Sequence, residues 1–377
     1  MKSKFISFIV LLLFIVAPFI QSDTSDESQP DVLLSLPPII STISFYLRWV
    51  IIGVLVLYFF LNKNKVAQYF TKYNFLFALF YFFPMLFAGA TLTDFPRYIS
   101  LFLLALILPL IFTSQFHTCQ NFFNHNNLKK VILFFIILSI IVSFQTVFSG
   151  LRFQGILGNS NMYGFSAVFW MSLLQLSKKT KFNLILTVII LITVILSGSR
   201  GALLAGVLVI FFSYSNHLKK LLVGSILIVS MLSILSSFTN LDFILNRFNN
   251  ISQSAKESGR QEIWDKAFQV IKMNPLGNGM NAPLELIDTG NIHNCYVRFL
   301  LTMGYPFTIL ALLCLLILIL FVAKDKKVPK PLVGFLFGYL LANYGEDFFV
   351  GVGSSMFIYV VMTIGLISFY SLKKEEL

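Results

Sequence analysis

Charge is scarce in this chain. Only 12% of its 377 residues are charged, about half the share carried by a soluble domain. So few polar side chains cannot clothe a soluble fold of this size, which excludes a soluble enzyme and a disordered chain. Cysteine is scarcer still. Cys119, Cys295 and Cys314 have neither the number nor the spacing for a disulfide framework or a metal cluster. Acidic side chains are missing from the middle of every long apolar run. What fills the sequence instead is hydrophobic: 57% of the residues, with a mean hydropathy of +0.83.

These residues form twelve apolar runs between short polar breaks, from Phe5–Ile20 to Val352–Tyr370. Each run is long enough, or nearly so, to cross a bilayer as a helix. The expected fold is all-α: a polytopic helical membrane protein of about twelve transmembrane helices with one large outer loop. The first run lacks a small-residue cleavage site before Asp23 and reads as a retained helix rather than a signal peptide. Pro331–Tyr344 is the shortest candidate crossing.

The formal charge of +12 does not mark a nucleic-acid binder, because of where the charges fall. With the N-terminus inside, behind Lys2 and Lys4, and one crossing per run, eighteen of the twenty-one lysines lie in inner loops or the two inner termini. This is the positive-inside rule, and it places both termini in the cytoplasm. The chain divides into N-terminal helices over 1–150, a core over 151–325 that includes the outer loop 239–292, and C-terminal helices with an inner tail over 326–377.

Arginine follows the opposite rule. All seven arginines fall on the outer side or in the outer third of a run, and none lies in an inner loop. Lysine suffices to set topology, whereas arginine offers a planar, always-charged fork that suits phosphate or carboxylate. Arg48, Arg97, Arg152 and Arg247 read individually as interface anchors or partners of outer acids. Two others have a more telling context. Arg200 sits in Ser197-Gly198-Ser199-Arg200-Gly201, a tight turn before an inward-running helix that Ser199 can cap. Free N–H groups, the positive helix end and the guanidinium together make an anion site there. Arg260 sits in the outer loop, where Ser258 and Gln261 form a weak capping box. Beyond it Ile263, Trp264, Ala267, Phe268, Val270 and Ile271 share one helical face, as expected of an amphipathic helix lying in the outer interface and ended by Asn274-Pro275.

Three histidines, His117, His125 and His217, fall in inner loops and are expected to be solvated. His293 alone faces outward, at the start of an inward-running helix in His293-Asn294-Cys295-Tyr296, with Arg298 near the same rim. The positive helix end disfavours an imidazolium, so His293 is suited to accept a proton. Asn159 and Asn161 open another inward helix, where they can cap it or hydrogen-bond a sugar. The acidic first outer loop (Asp23, Asp26, Glu27, Asp31) reads as solvated, though paired carboxylates there can hold a divalent ion.

These pieces in this order resemble the O-antigen ligase and O-antigen polymerase family of bacterial envelope proteins. The resemblance rests on Gly158-Asn159-Ser160-Asn161, Leu196-Ser197-Gly198-Ser199-Arg200-Gly201, Gly259-Arg260 with Trp264, Asn274-Pro275-Leu276-Gly277-Asn278-Gly279, and His293-Asn294-x-Tyr296 followed by Met303-Gly304. It covers about residues 150–325. It implies a multi-pass enzyme of the bacterial cytoplasmic membrane that moves a glycan from undecaprenyl pyrophosphate, at the outer face, to a glycan or lipid acceptor. The implied reaction needs no metal or other cofactor and no nucleic acid. A flippase and a chain-length regulator are the implied partners. Arg200, Arg260 and His293 are the implied catalytic residues, with Ser199, Asn159, Asn161, Asn294 and Arg298 expected to bind substrate. The competing reading is a transporter or flippase of lipid-linked sugars. That reading calls for ionisable residues deep in the bilayer and for inverted repeats, neither of which the sequence displays.

Overall fold

The computed structural model describes residues 3–19, 38–87, 94–118, 125–148, 151–157, 159–176, 180–215, 259–289, 292–350 and 354–373. Every regular element among them is helical. Among the described residues, nine helices precede the long loop expected over 239–292: α1 (Ser3–Val16), α2 (Pro38–Leu61), α3 (Lys63–Ala67), α4 (Lys72–Leu86), α5 (Asp94–Thr118), α6 (His125–Phe148), α7 (Ser160–Leu174), α8 (Lys181–Leu196) and α9 (Arg200–Tyr214). Within the loop lie α10 (Arg260–Met273) and α11 (Ala282–Ile287). After it come α12 (Cys295–Lys324), α13 (Lys330–Ala342) and α14 (Ser355–Leu372). Eleven of the twelve apolar runs fall on helices among the described residues. The run Leu221–Phe238, the first acidic loop, Cys119, Arg247, Gly158 and Ser258 lie outside them. By length and composition α2, α5, α12 and α14 can each cross a membrane, while α1, α8, α9 and α13 are shorter apolar helices.

Helix starts in an apolar setting need their free N–H groups satisfied from within. Short polar side chains do this here. Thr71 and Asn74 form a capping box on α4, and Asn159, Thr180, Ser199, Asn294 and Ser354 cap α7, α8, α9, α12 and α14. The core between helices is aromatic-rich. Phe14, Phe135 and Trp170 meet in a chain of ring contacts, as do Phe335, Phe169 and Tyr359. Small residues set the closest helix pair. Gly334 and Gly338 on α13 lie against α9, where a Cβ on Gly338 would sit 2.4 Å from that of Ala205. This is the small-xxx-small mode of helix packing. The expected crossing at Pro331–Tyr344 is a helix of 13 residues, Lys330–Ala342, with Asn343 as its C-cap.

The run Cys295–Val322, expected as one continuous crossing, is broken. Gly304 has φ 71° and ψ 178° inside α12, with Pro306 two residues on. Thirty residues of unbroken helix would be about 45 Å long, against about 30 Å of hydrocarbon. The break divides it into a short piece over 295–303 and a piece over 305–324 whose length of about 30 Å matches the hydrocarbon thickness. The segment Asn274–Gly279 packs into the gap and replaces the lost helical hydrogen bonds. Asn278 N donates to the Leu301 carbonyl (3.1 Å), Gly279 N to that of Thr302 (3.0 Å), and Tyr305 N to that of Pro275 (2.9 Å). Two glycines allow this approach: a Cβ on Gly304 would lie 2.3 Å from the Leu276 carbonyl carbon, and one on Gly277 would lie 2.6 Å from that of Met303.

α10 forms where expected but differs in two respects. Its N-cap is Gly259, in the left-handed region at φ 67°, so the Ser258 capping box is not the start of the helix. Its apolar face packs on protein. Ala267 and Ile271 are buried, with Ile263, Trp264 and Val270 beside them, against Val297 and Leu301 in the first turns of α12. Periodicity marked the face correctly, but the cover is a neighbouring helix. Phe268 is the exception and is exposed. His117 is a further correction. It is not solvated but stacks on Tyr69 (ring centroids 5.1 Å) and meets Phe369 edge-on (4.7 Å).

The bundle has two distinct ends. At one, Tyr73 Oη donates to Asp325 Oδ2 (2.7 Å), Lys72 lies over the Phe321 ring (4.8 Å), and Thr71 and Asn74 bond Ser368. This is the end of the lysine-bearing loops. At the other end of α4, the Phe87 carbonyl accepts from Met280 N (3.3 Å), which places the arginine-bearing loop there.

Candidate active site

The site forms where α13 stops. Asn343 donates to the Tyr339 carbonyl (2.7 Å) and accepts from Phe348 N (3.1 Å), closing the chain into a compact turn over 343–348. Four helix N-termini are drawn to this turn. α12 arrives through Cys295 N, which donates to the carbonyls of Asn343 (3.0 Å) and Glu346 (3.2 Å). α10 arrives through Arg260, whose Nη1 donates to the Gly345 carbonyl (3.1 Å) and whose Nη2 lies 3.9 Å from Glu346 Oε1. α7 arrives through Asn161, whose Nδ2 donates to the same Glu346 oxygen (2.5 Å). The turn before α9 is joined through Arg152, which donates from Nη2 to Asn161 Oδ1 (2.6 Å) and from Nε to the Ser197 carbonyl (2.8 Å). Arg200 opens α9 beside this turn.

The electrostatics follow from this convergence. Each helix start presents a partial positive charge. Arg298 and Asp347 form a buried ion pair, and Asp347 Oδ1 also accepts from Cys295 Sγ (2.9 Å). Glu346 faces Arg260 directly and is linked to Arg152 through Asn161. Arg200 is half-buried and within Coulombic reach of Arg260. Its Nη1 is buried with no hydrogen-bond partner among the described residues. Two guanidinium groups held this close repel one another unless an anion offsets them.

His293 occupies a sharp bend. Its φ of 53° is unusual for a residue with a side chain. The backbone is pinned on both sides: the Ile292 carbonyl accepts from Trp264 Nε1 (2.9 Å), and Asn294 Oδ1 accepts from Tyr296 N (3.0 Å) and Val297 N (3.1 Å). Trp264 lies one turn beyond Arg260 on α10 and packs its ring toward Tyr344 (6.0 Å). The bend that carries His293 is therefore tied to the same helix and the same turn as Arg260.

Of the side chains expected to touch substrate, several already have structural partners. Ser199 is buried, and its Oγ accepts from Ala202 N (3.4 Å). Asn159 and Asn294 are caps, Asn161 bridges Arg152 and Glu346, and Arg298 is paired with Asp347. Gly201 serves packing, because a Cβ there would lie 3.0 Å from the Phe165 ring. Arg48 and Arg97 lie over aromatic rings, as anchors do. Sequence reading missed Glu346 and Asp347 and gave Arg152 too small a part. The available signal was the gathering of arginines on one side, which calls for counter-charge nearby.

Residues 185–312 match the profile of the O-antigen ligase family. The match takes in Arg200, Arg260, His293 and Arg298 and supports an O-antigen ligase or polymerase-like membrane enzyme. Arg152, Asn161, Glu346 and Asp347 lie outside it. No curated protein matches the chain.

Proposed function

We propose that this chain transfers or polymerises a glycan carried on undecaprenyl pyrophosphate, working at the outer face of the bacterial cytoplasmic membrane in a body of about twelve crossings. The observation that carries the reading is the pairing of Arg200 and Arg260 at converging helix N-termini, with a buried Arg200 Nη1 that lacks a hydrogen-bond partner among the described residues. A diphosphate is the anion that fits. It is multiply charged, accepts forked hydrogen bonds and is placed at interface depth by its lipid.

In the reaction, His293 takes the proton of an acceptor hydroxyl. That oxygen forms a bond to the anomeric carbon of the donor sugar, and the bond from this carbon to the diphosphate oxygen breaks. The electron pair leaves with the lipid diphosphate, where Arg200 and Arg260 offset the growing charge. Attack from the face opposite the leaving group inverts the anomeric centre. Both termini would then lie in the cytoplasm, and Glu346 would keep the two arginines within reach of one ligand.

The test uses purified full-length protein with lipid-linked glycan and follows release of polyprenyl pyrophosphate. Arg200→Ala, Arg260→Ala and His293→Ala are each expected to lower the rate by about 10²-fold or more, the scale for removing a group that stabilises charge in the transition state. Arg260→Lys is expected to lose at least about tenfold, because a point charge cannot reproduce the fork. Undiminished release by all three alanine variants overturns the mechanism.

A further inference from the structure

The covered face of α10 leaves a different apolar surface open. Met273, Leu276, Leu284 and Leu286 are 85%, 67%, 62% and 50% exposed; Leu276 belongs to the segment that fills the break of α12, Met273 ends α10 just before it, and the other two lie on α11 just after it. Water does not favour a cluster of this kind on the polar part of a protein. Its position identifies the cover. Leu276 lies at the break itself, next to Tyr305, where the longer piece of α12 begins. From there Ile309, Leu313, Leu316 and Leu320 form an exposed apolar stripe at helical spacing down that piece, the surface that a membrane-crossing helix turns to lipid. Tyr305, itself exposed, joins this stripe to the backbone beside Leu276 through its bond to the Pro275 carbonyl. We infer that the 273–286 segment is an interfacial ledge, immersed in the headgroup and upper acyl region of the leaflet on the arginine side of the membrane. Polar neighbours limit its depth. Glu285 is exposed between the two leucines, and Lys272 and Asn274 are exposed beside Met273. Charged groups at these positions reach the headgroups only if the ledge lies at the interface and not in the hydrocarbon centre. The inference rests on the membrane reading and not on the enzymatic one.

The experiment places nitroxide labels on the full chain in lipid nanodiscs, after Cys119→Ser and Cys314→Ala, with buried Cys295 retained. Labels go on Leu276→Cys and Leu284→Cys, on Asp265→Cys from the polar face of α10, and on Leu313→Cys from the lipid stripe. Collision with oxygen is compared with collision with a soluble nickel chelate. The oxygen-to-nickel ratio at 276 and 284 is expected to exceed that at 265 by at least about threefold and to approach that at 313, as for groups seated in the interface. Aqueous values at 276 and 284 alongside a lipid value at 313 overturn the ledge and leave the membrane reading intact. Low access to both reagents at 276 and 284 also overturns it, because another part of the chain then covers the surface. An aqueous value at 313 removes the membrane reading and the ledge with it.

Discussion

Asp347 is tied to two partners at once. It accepts from Cys295 Sγ and pairs with Arg298 in a nearly dry environment. Removing one member of a buried pair strands the other charge, at a cost of about 3–5 kcal/mol. Asp347→Ala is therefore expected to lower the thermal midpoint in detergent sharply. The double variant Arg298→Met/Asp347→Leu removes both charges and is expected to recover most of that loss. A double variant no more stable than the single would contradict this account. Arg298, expected from the sequence to bind substrate, is paired in the fold with Asp347 of the 343–348 turn. Glu346 is the more telling neighbour. One carboxylate oxygen accepts from Asn161 and faces Arg260, so a single side chain links two helices that come together only in the folded molecule. Nothing in Gly345-Glu346-Asp347 distinguishes it from a solvated turn until those partners are located. Arg200, Arg260 and His293 could be singled out as candidates because each stands at a helix start, where local spacing and caps carry the information. The carboxylate that faces Arg260 comes from far along the chain and has no local mark.

The broken helix shows the same limit at the level of elements. Cys295–Val322 reads in the sequence as one crossing, although an unbroken helix of that length overshoots the hydrocarbon. The residues that fill the break, however, come from the segment before it, and hydropathy does not report pairings of that kind. Gly304 combines positive φ with a backbone neighbour 2.3 Å from where a Cβ would stand. Gly304→Ala is expected to cost at least about 1–3 kcal/mol, through strain and displacement of the 274–279 segment. A Cβ on Gly53 in α2 would meet nothing within 4 Å. Gly53→Ala is expected to leave the thermal midpoint unchanged or slightly raised, because alanine favours helix. Equal effects of the two substitutions would refute the assigned role of the break. α10 teaches a related lesson. Its apolar stripe was readable from spacing, but spacing names a face and not its cover, and here the cover is α12.

Across the whole molecule, polarity is the most legible property. The sequence sorts lysines from arginines, and the fold sets Lys72 and Asp325 at one end of α4 and α12, with the arginine cluster at the other. The expected sidedness can be measured on intact cells with a membrane-impermeant thiol reagent, in a background lacking Cys119 and Cys314. Lys266→Cys on α10 is expected to label from outside, and Lys326→Cys after α12 only once the membrane is opened. The reverse pattern would invert the assigned orientation and move the site to the inner face.

One contact described above links two functions mechanically. Trp264 holds the Ile292 carbonyl from the same helix on which Arg260, one turn earlier, holds the Gly345 carbonyl. Lifting α10 as a rigid rod would undo both latches in one stroke, so on the proposed mechanism Arg260 and the bend that carries His293 would shift together.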